Sequence, residues 1–336
     1  MDIELLEARA RIIQGVRAFF DRKGYLETDT PLLAPRLIPE TCLELFETCR
    51  LAPEGSARQN QAYWLIPSPE LWMKKLIAKH RRSIYQICRC FRNGESSGHL
   101  HSPEFTMLEY YTMNAGYLES LALTEELFDF LLERGLSGGE NNALRPPFIR
   151  VSMDEAFRRW AGFSLREKAA EGKEALAAEA RRLGINAGTG LGMEALYDLI
   201  FIHQVEPNLP KEKPTVLTDY PDFVPCLAKK GKESGVVERW ELYINGIELA
   251  NCYSEETDPE EVRRYFETEG KSKTESALVP HSIDYDYWKI FLPLTGPEGR
   301  ELPFPRCSGA ALGMDRLIMA FMGRSAIDSV LPFPME

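Results

Sequence analysis

Two glutamates, Glu241 and Glu248, flank an Asn-Gly pair in the segment ERWELYINGIELANCYSEE. Asn-Gly between alternating runs is typical of a tight hairpin turn, so the two carboxyl groups are expected to face each other across a hairpin. Paired carboxylates in a cleft suit Mg²⁺ held together with substrate phosphates. Two solvated strand residues are the competing interpretation. Asn251, Tyr253 and Glu255 continue the alternation, which predicts that they share a face with Glu241.

A second group of residues suited to ligand binding lies in CSGAALGMDRL. Its small residues permit close approach of the backbone to a ligand, and Arg316 at the start of the following helix is placed to bring a planar guanidinium to a phosphate. A local ion pair and helix cap formed by the Asp-Arg pair is the alternative interpretation.

The stretch FRNGESSGHLHSPEFTMLEYY brings an arginine, hydrogen-bonding groups and an aromatic ring into one hairpin-sized piece of chain. Arg92 leaves a strand, Glu95 and His101 lie in or beside a polar loop, and Phe105 begins the return strand. An arginine for a phosphate and a ring for stacking on a base are what a nucleotide bound without a P-loop requires.

Glu109 and Tyr111 lie two residues apart on the return strand and therefore share a face. There they are placed to pair with the ammonium group of a cationic ligand. For His99 and His101 a surface position in the loop is the competing interpretation.

These side chains must be positioned by strands and helices that the hydrophobic pattern predicts. The pattern predicts helices at Leu5 to Phe20, from Glu70, at Glu119 to Leu136 and from Pro259 with Asp258 as N-cap, and strands in WLIP, SIYQICRCF, EFTMLEYYTM, PTVLTDYP and the two arms around Asn245-Gly246. CSGAALG is predicted to be a glycine-rich turn that leads into an apolar helix. Ser152 to Trp160, Leu165 to Leu183 and Met193 to Gln204 are predicted to be mostly helical.

Composition limits the classes of protein to consider. The chain has 336 residues, 44% hydrophobic and 27% charged, with a formal net charge of -11, which disfavours broad contact with nucleic-acid phosphates. Seven scattered cysteines predict reduced cytosolic thiols rather than disulfides or a zinc site. The acidic amphipathic N-terminus and the lack of an 18-residue apolar run predict a protein that is neither exported nor membrane-spanning.

Strands that cluster without regular βαβ alternation favour an α+β fold built around an antiparallel sheet flanked by helices. Neither G-x-G-x-x-G nor G-x-x-x-x-G-K-[ST] occurs, so a Rossmann or P-loop fold finds no support. We expect a single catalytic domain over residues 1–336 with a helical insertion at about 140–210.

Three segments in this order resemble the signature motifs of class II aminoacyl-tRNA synthetases: GYLETDTPLLAP motif 1, FRNGESSGHLHSPEF motif 2 and GAALGMDRL motif 3. SPELWMKKL, HSPEFTMLEYY and ELYINGIELANCYSE are similar to the lysyl-tRNA synthetase core. The chain starts almost at motif 1, so no anticodon-binding domain is expected. A free-standing core resembles the elongation factor P lysine ligase family, and Ala311, where lysyl-tRNA synthetases usually carry glycine, supports that choice.

The resemblance implies ATP and Mg²⁺ as cofactors and assigns site residues. Arg92 and Arg316 would be catalytic, and the ATP site would comprise Arg92, Glu95, His101, Ser102, Phe105, Glu241, Leu242, Gly313 and Arg316. The lysine site would comprise Ser68, Glu70, Glu109, Tyr111, Glu248, Asn251, Tyr253, Glu255 and Ala311, and the metal ligands would be Glu241 and Glu248. The motif 2 loop is one residue longer than in the family, and Ser102 and Cys252 stand where asparagine and glycine are common.

The activity implied is activation of lysine, or (R)-β-lysine, with ATP and its transfer to a lysine side chain of elongation factor P. The resemblance also implies a cytoplasmic homodimer that reads no tRNA anticodon. A truncated lysyl-tRNA synthetase, an amino-acid–ammonia ligase and a non-catalytic synthetase paralogue are the alternatives.

Overall fold

An eight-stranded sheet carries most of the residues singled out above. In the computed structural model, residues 3–55, 59–94, 99–137, 142–188, 190–296 and 299–334 are described. The strands of these ranges are β1 Leu26–Glu27, β2 Leu33–Ala34, β3 Glu47–Arg50, β4 Gln61–Leu65, β5 Ile84–Phe91, β6 Glu104–Met113, β7 Ile149–Ser152, β8 Thr215–Pro221, β9 Val236–Ile244, β10 Ile247–Ser254, β11 Leu294–Thr295, β12 Glu301–Leu302 and β13 Cys307–Gly313. The helices are α1 Ile3–Arg22, α2 Glu70–His80, α3 Tyr117–Glu133, α4 Met153–Trp160, α5 Leu165–Glu171, α6 Lys173–Arg182, α7 Met193–Ile200, α8 Pro259–Ser276 and α9 Met314–Phe321.

The main sheet has the order β1-β5-β6-β13-β10-β9-β8-β7. Its two outermost pairs, β1 with β5 and β7 with β8, are parallel, and the pairs between them are antiparallel. Helices α1, α3 and α9 bury their apolar faces against one side, where Phe20, Leu127, Trp240, Leu312 and Ile318 form part of the core. The expected α+β fold with a mainly antiparallel sheet is confirmed.

The hairpin of β9 and β10 follows from its Asn-Gly turn. Asn245 and Gly246 both adopt left-handed backbone conformations, with φ of 53° and 76°, as a two-residue hairpin turn requires. The pairing shifts register between Glu248 and Ala250, so one extra residue lies on β10. Because side chains alternate along a strand, this bulge brings Glu248 to the same face as Asn251. The bulge cannot be seen in the hydrophobic pattern.

The prediction that CSGAALG is a turn was wrong. These residues form β13, a central strand between β6 and β10. A Cβ added at Gly309 would lie 2.5 Å from Glu255 Oε1 and 2.5 Å from Tyr111 Cε1, so the glycine is needed for side chains to pass close to the strand. Small residues here serve close packing within a sheet rather than a change of chain direction.

Residues 140–210 contain the predicted helices and one strand that the pattern missed. Helices α4 to α7 pack around Phe157, Leu196 and Tyr197 in a second core, which they share with residues of the main sheet such as Leu217 and Tyr243. β7 precedes them and extends the main sheet beside β8, so part of this stretch belongs to the sheet. The single-domain organisation stays a prediction.

Asp258 caps α8 as predicted, since its side chain accepts a hydrogen bond from the Glu260 amide at 2.8 Å. All seven cysteines are free. Within the described ranges, the helices are each too short or too polar to cross a membrane.

Candidate active site

A cavity of 560 Å³ opens on the face of the sheet opposite α1, α3 and α9, a size typical of small-molecule sites. It collects side chains from α2, the β5–β6 hairpin, β9, β10, β13 and the start of α9. The predicted site residues that line it are Glu70, Arg92, His101, Ser102, Phe105, Glu241, Glu248, Asn251, Tyr253, Ala311, Gly313 and Arg316. Segments distant in sequence therefore converge on one cavity.

Other predicted residues do not line this cavity. Glu109, Tyr111 and Glu255 are buried behind its wall, and Ser68 lies half-buried just before α2. The side chain of Leu242 packs in the core on the other face of β9, so its ATP contact stays a prediction. Glu95 lies outside the described residues.

Arg316 is held by backbone carbonyl oxygens. Its Nη1 donates to the oxygen of Glu248 at 2.6 Å, and its Nε and Nη2 donate to the oxygen of Leu100 at 3.4 and 3.3 Å. The neighbouring Asp315 pairs with Arg9 instead, at 2.6 Å, and accepts the Thr106 amide at 2.7 Å. The alternative of a local Asp-Arg ion pair is therefore wrong, and the guanidinium is oriented at the cavity wall.

The β5–β6 hairpin sets a second arginine at the cavity. The Arg92 amide donates to Pro103 at 3.0 Å, which closes the end of the hairpin, and its guanidinium lies 5.1 Å from the ring centroid of Phe105. Stacking on the ring holds the planar group in place. Two oriented guanidinium groups in one cavity favour an anionic ligand such as a polyphosphate.

Glu241 and Glu248 share the cavity face but are not paired across the strands. Glu241 lies opposite Asn251, and Glu248 lies opposite Tyr243. Glu241 accepts from Arg239 Nη2 at 2.6 Å and from the Tyr243 hydroxyl at 2.7 Å. Burial, and after it the charge of Glu241, raises the pKa of Glu248 to about 7.

This donor set fits Mg²⁺ only together with ligand oxygens. A bound cation would relieve the repulsion that raises the pKa of Glu248. In the described part of the chain, no cluster of three or more His, Cys, Asp or Glu side chains is arranged to hold a metal. Two carboxylates completed by phosphate oxygens and water are the usual Mg²⁺ arrangement in nucleotide sites.

At another part of the cavity wall, carboxyl groups of glutamates surround a buried lysine. Lys74 Nζ lies 2.5 Å from Glu70 Oε1 and 2.6 Å from Glu255 Oε2. The Tyr253 hydroxyl donates to Glu70 Oε1 at 3.0 Å. Burial opposes the charge of Lys74, but Glu255 and then Glu70 outweigh it and raise the pKa of the lysine, so the ammonium stays protonated.

Glu109 adds a third carboxyl group to this region. The Tyr111 hydroxyl donates to Glu109 Oε1 at 2.8 Å, and Oε2 has no hydrogen-bond partner among the described residues. Burial, and after it the charge of Glu70, raises the pKa of Glu109 well above its usual range. A buried carboxyl group with an unused oxygen is suited to an incoming ammonium group.

Sequence reasoning missed several residues of the site. The i,i+4 spacing of Lys74 to Glu70 indicates their ion pair but not the burial of the lysine. Arg239 was detectable from its position two residues before Glu241 on the same strand face. The acids that line the cavity from elsewhere, Glu40, Glu194, Asp198 and Glu269, lie in segments without a recognisable motif. Their shared location arises only from the tertiary fold.

Comparisons with known proteins identify relatives of the whole chain. The family described as tRNA synthetases class II (D, K and N) matches residues 3–336. The chain is 34% identical to the elongation factor P–(R)-β-lysine ligase of Proteus mirabilis, over 97% of this chain and 94% of that protein. It is 35% identical to the ligase of the same name from Pasteurella multocida, over 99% and 96%, and 36% identical to a homologue of that ligase from Aquifex aeolicus, over 97% and 98%.

Proposed function

This chain is a ligase-class enzyme that belongs to the elongation factor P lysine ligase family of the class II tRNA synthetases, and we propose that it activates (R)-β-lysine or lysine with ATP and transfers it to elongation factor P. The acceptor is a lysine side chain of that protein. The observation that carries the proposal is one cavity with two oriented arginines and, at its wall, the acidic cluster of Glu70, Glu109 and Glu255.

In the first step, a carboxylate oxygen of the amino acid attacks the α-phosphorus of ATP, and the bond to pyrophosphate breaks. Arg92 and Arg316 stabilise the charge that develops on the phosphate oxygens, since both guanidinium groups are already oriented at the cavity. Glu241 and Glu248 would hold Mg²⁺, which supplies further charge neutralisation when bound. Phe105 offers its ring face to the adenine.

In the second step, the ε-amine of the acceptor lysine attacks the carbonyl carbon of the adenylate. An amide bond forms, AMP leaves, and the amine loses its proton to the adenylate phosphate or to solvent. No side-chain nucleophile is required, so catalysis depends on positioning and charge.

The substrate ammonium would be received by Glu70, Glu109 and Glu255 with the hydroxyl groups of Tyr111 and Tyr253. An ammonium group buried without acidic partners would be costly, which explains the concentration of acids there. Ala311 of β13 lines the cavity and is paired with Glu109 of the neighbouring strand β6. Its methyl group would limit which lysine isomer fits.

The proposal is tested by ATP–pyrophosphate exchange with (R)-β-lysine, α-lysine and aspartate, followed by transfer of labelled amino acid to elongation factor P or to tRNA. We expect exchange with a lysine isomer and label on elongation factor P. Exchange with aspartate alone would contradict the lysine site, and efficient charging of tRNA would contradict the acceptor. Arg316→Ala is expected to abolish exchange while the circular dichroism spectrum stays unchanged.

We also propose that the enzyme is a cytoplasmic homodimer. β1 lies at an open edge of the main sheet, and β2 and β3 are the edges of a three-stranded sheet. Leu26, Leu33 and Leu51 in this region expose 45%, 45% and 73% of their surface. Open edges with exposed leucines favour association with a second copy. Seven free thiols suit a reducing compartment.

A further inference from the structure

Lys74 is a buried cation that the reaction described above does not use. It lies on the inward face of α2 with Ile77 and Ala78, where an apolar side chain would be expected. Its side chain is 0% exposed, and it does not line the cavity, whereas its partners Glu70 and Tyr253 do. The lysine therefore stands behind the wall that the substrate meets.

The geometry gives Lys74 two carboxylate partners at once. Its Nζ lies 2.5 Å from Glu70 Oε1 and 2.6 Å from Glu255 Oε2, and 5.2 Å from the ring centroid of Tyr253. Glu70 begins α2, and Glu255 follows β10, so a single ammonium group joins two elements that form the wall. Each carboxylate keeps a second oxygen that Lys74 does not contact.

This cluster contains more carboxyl groups than cationic groups. Three carboxyl groups, those of Glu70, Glu109 and Glu255, surround the one ammonium group of Lys74. If Lys74 were absent, nothing would oppose the effect of burial on the pKa of Glu255 to the same extent, and both carboxyl groups would lose the cation that orients them. Burial raises the pKa of Glu255 to about 8, and the ammonium group of Lys74 opposes that rise. Lys74 also fixes one oxygen of Glu70 and one of Glu255, which leaves the other oxygens of the cluster available to a further cation.

We propose that Lys74 is a positioning residue that holds Glu70 and Glu255 so that their remaining oxygens, together with Glu109, receive the ammonium group of the amino-acid substrate. This inference rests on the proposed function and adds a residue to it. Lys74 acts only through the two carboxylates, so its loss should affect recognition of the amino acid and leave recognition of ATP largely unchanged.

The test is Lys74→Met, which removes the charge and keeps most of the volume. In ATP–pyrophosphate exchange we expect the KM for the preferred lysine isomer to rise about tenfold or more, as for loss of a buried ionic partner, with little change in the KM for ATP. Lys75→Met is the matched control, because Lys75 is the next residue on α2 but pairs with Asp284 at 2.9 Å, away from the cavity. It should leave the KM for lysine unchanged.

A pH profile separates positioning from packing. Lys74→Met removes the ammonium group that lowers the pKa of Glu255 against the effect of burial, so Glu255 should carry its proton to higher pH and the KM for lysine should fall towards the wild-type value as pH rises. Lys74→Arg, which keeps the charge, should retain a lower KM than Lys74→Met. If Lys74→Met does not fold, the double variant Lys74→Met/Glu255→Gln, which removes the opposite charge as well, replaces it in the same assay. Its KM for lysine is then compared with that of Glu255→Gln alone, so that only the additional effect is assigned to Lys74.

The outcomes distinguish this inference from the proposed function. Absence of exchange with any lysine isomer in the wild-type enzyme contradicts the proposed function itself. Normal exchange in the wild type, combined with an unchanged or lower KM for lysine in the Lys74 variant at every pH, overturns the role of Lys74. A parallel rise in the KM for ATP would also overturn it, because the whole cavity would then be disturbed.

Discussion

At the scale of single residues, Glu248 combines burial with a neighbouring carboxylate. Burial, and then the charge of Glu241, raises its pKa to about 7. Below that pH the carboxyl group carries a proton, and a protonated carboxyl group binds Mg²⁺ poorly because the metal must displace the proton. The binding of Mg²⁺ that we propose at Glu241 and Glu248 should therefore depend on pH.

We predict that the Mg²⁺ concentration for half-maximal pyrophosphate exchange rises as pH falls below 7, by up to about tenfold per unit. Above pH 7.5 it should be nearly constant, since the group is then already ionised. Removal of Mg²⁺ with EDTA should abolish exchange at every pH. Glu248→Gln should flatten the pH dependence, whereas Glu267→Gln, an exposed position on α8, should not. A Mg²⁺ requirement that does not vary between pH 6 and 8 would contradict the role of Glu248.

At the scale of elements, the sequence predicts strands and hairpins well where side chains alternate. β5, β6, β9 and β10 were all predicted, and the Asn245-Gly246 turn was confirmed by its two positive φ angles. β13 was misread because CSGAALG has small side chains and no alternation of large apolar residues. Its strand conformation depends on pairing with β6 and β10, which are distant in sequence.

Contacts between segments distant in sequence also limit how far the site can be predicted. Motif-bearing residues such as Arg92 and Arg316 were found because their local context is distinctive. Lys74 was missed because a lysine in a helix is ordinarily exposed, and only the tertiary fold buries it between two acids. The bulge at Glu248 was missed because register is fixed by pairing across strands rather than by the pattern within one strand.

β13 also yields a prediction about how strand packing affects the proposed lysine site. Gly309→Ala adds a Cβ 2.5 Å from Glu255 Oε1 and from Tyr111 Cε1, so these side chains must move. We expect a rise in the KM for lysine and a loss of about 1–3 kcal/mol in the free energy of unfolding, as for other overpacked positions. Urea denaturation and pyrophosphate exchange measure the two effects.

Gly188→Ala is the control for that substitution, because a Cβ at Gly188 meets no atom within 4 Å and the backbone φ there is not positive. Gly188→Ala should change neither the KM for lysine nor the free energy of unfolding by a comparable amount. Wild-type KM for lysine in Gly309→Ala would show that the close approach of β13 to Glu255 has no role in recognition.

At the scale of the whole molecule, residues from both ends of the chain meet beside the cavity. Arg9 of α1 pairs with Asp315 of α9 at 2.6 Å and donates to the Thr106 hydroxyl of β6 at 3.0 Å. α1 thereby contacts two elements that carry Phe105 and Arg316. The segment that follows α1 contains the open edges and exposed leucines to which we assign the dimer contact. The proposed dimer contact therefore lies one element, α1, away from the site.

We predict a particle of about twice 38.3 kDa in sedimentation velocity for the wild-type protein. The double variant Leu26→Lys/Leu33→Lys should sediment as a monomer, because a charge at each apolar position opposes burial in an interface. Leu294→Lys is the matched control: Leu294 is similarly exposed, at 43%, but lies on the separate β11–β12 ribbon. A monomeric wild type would exclude the dimer. A dimer that survives the double substitution and dissociates in the control would place the interface elsewhere.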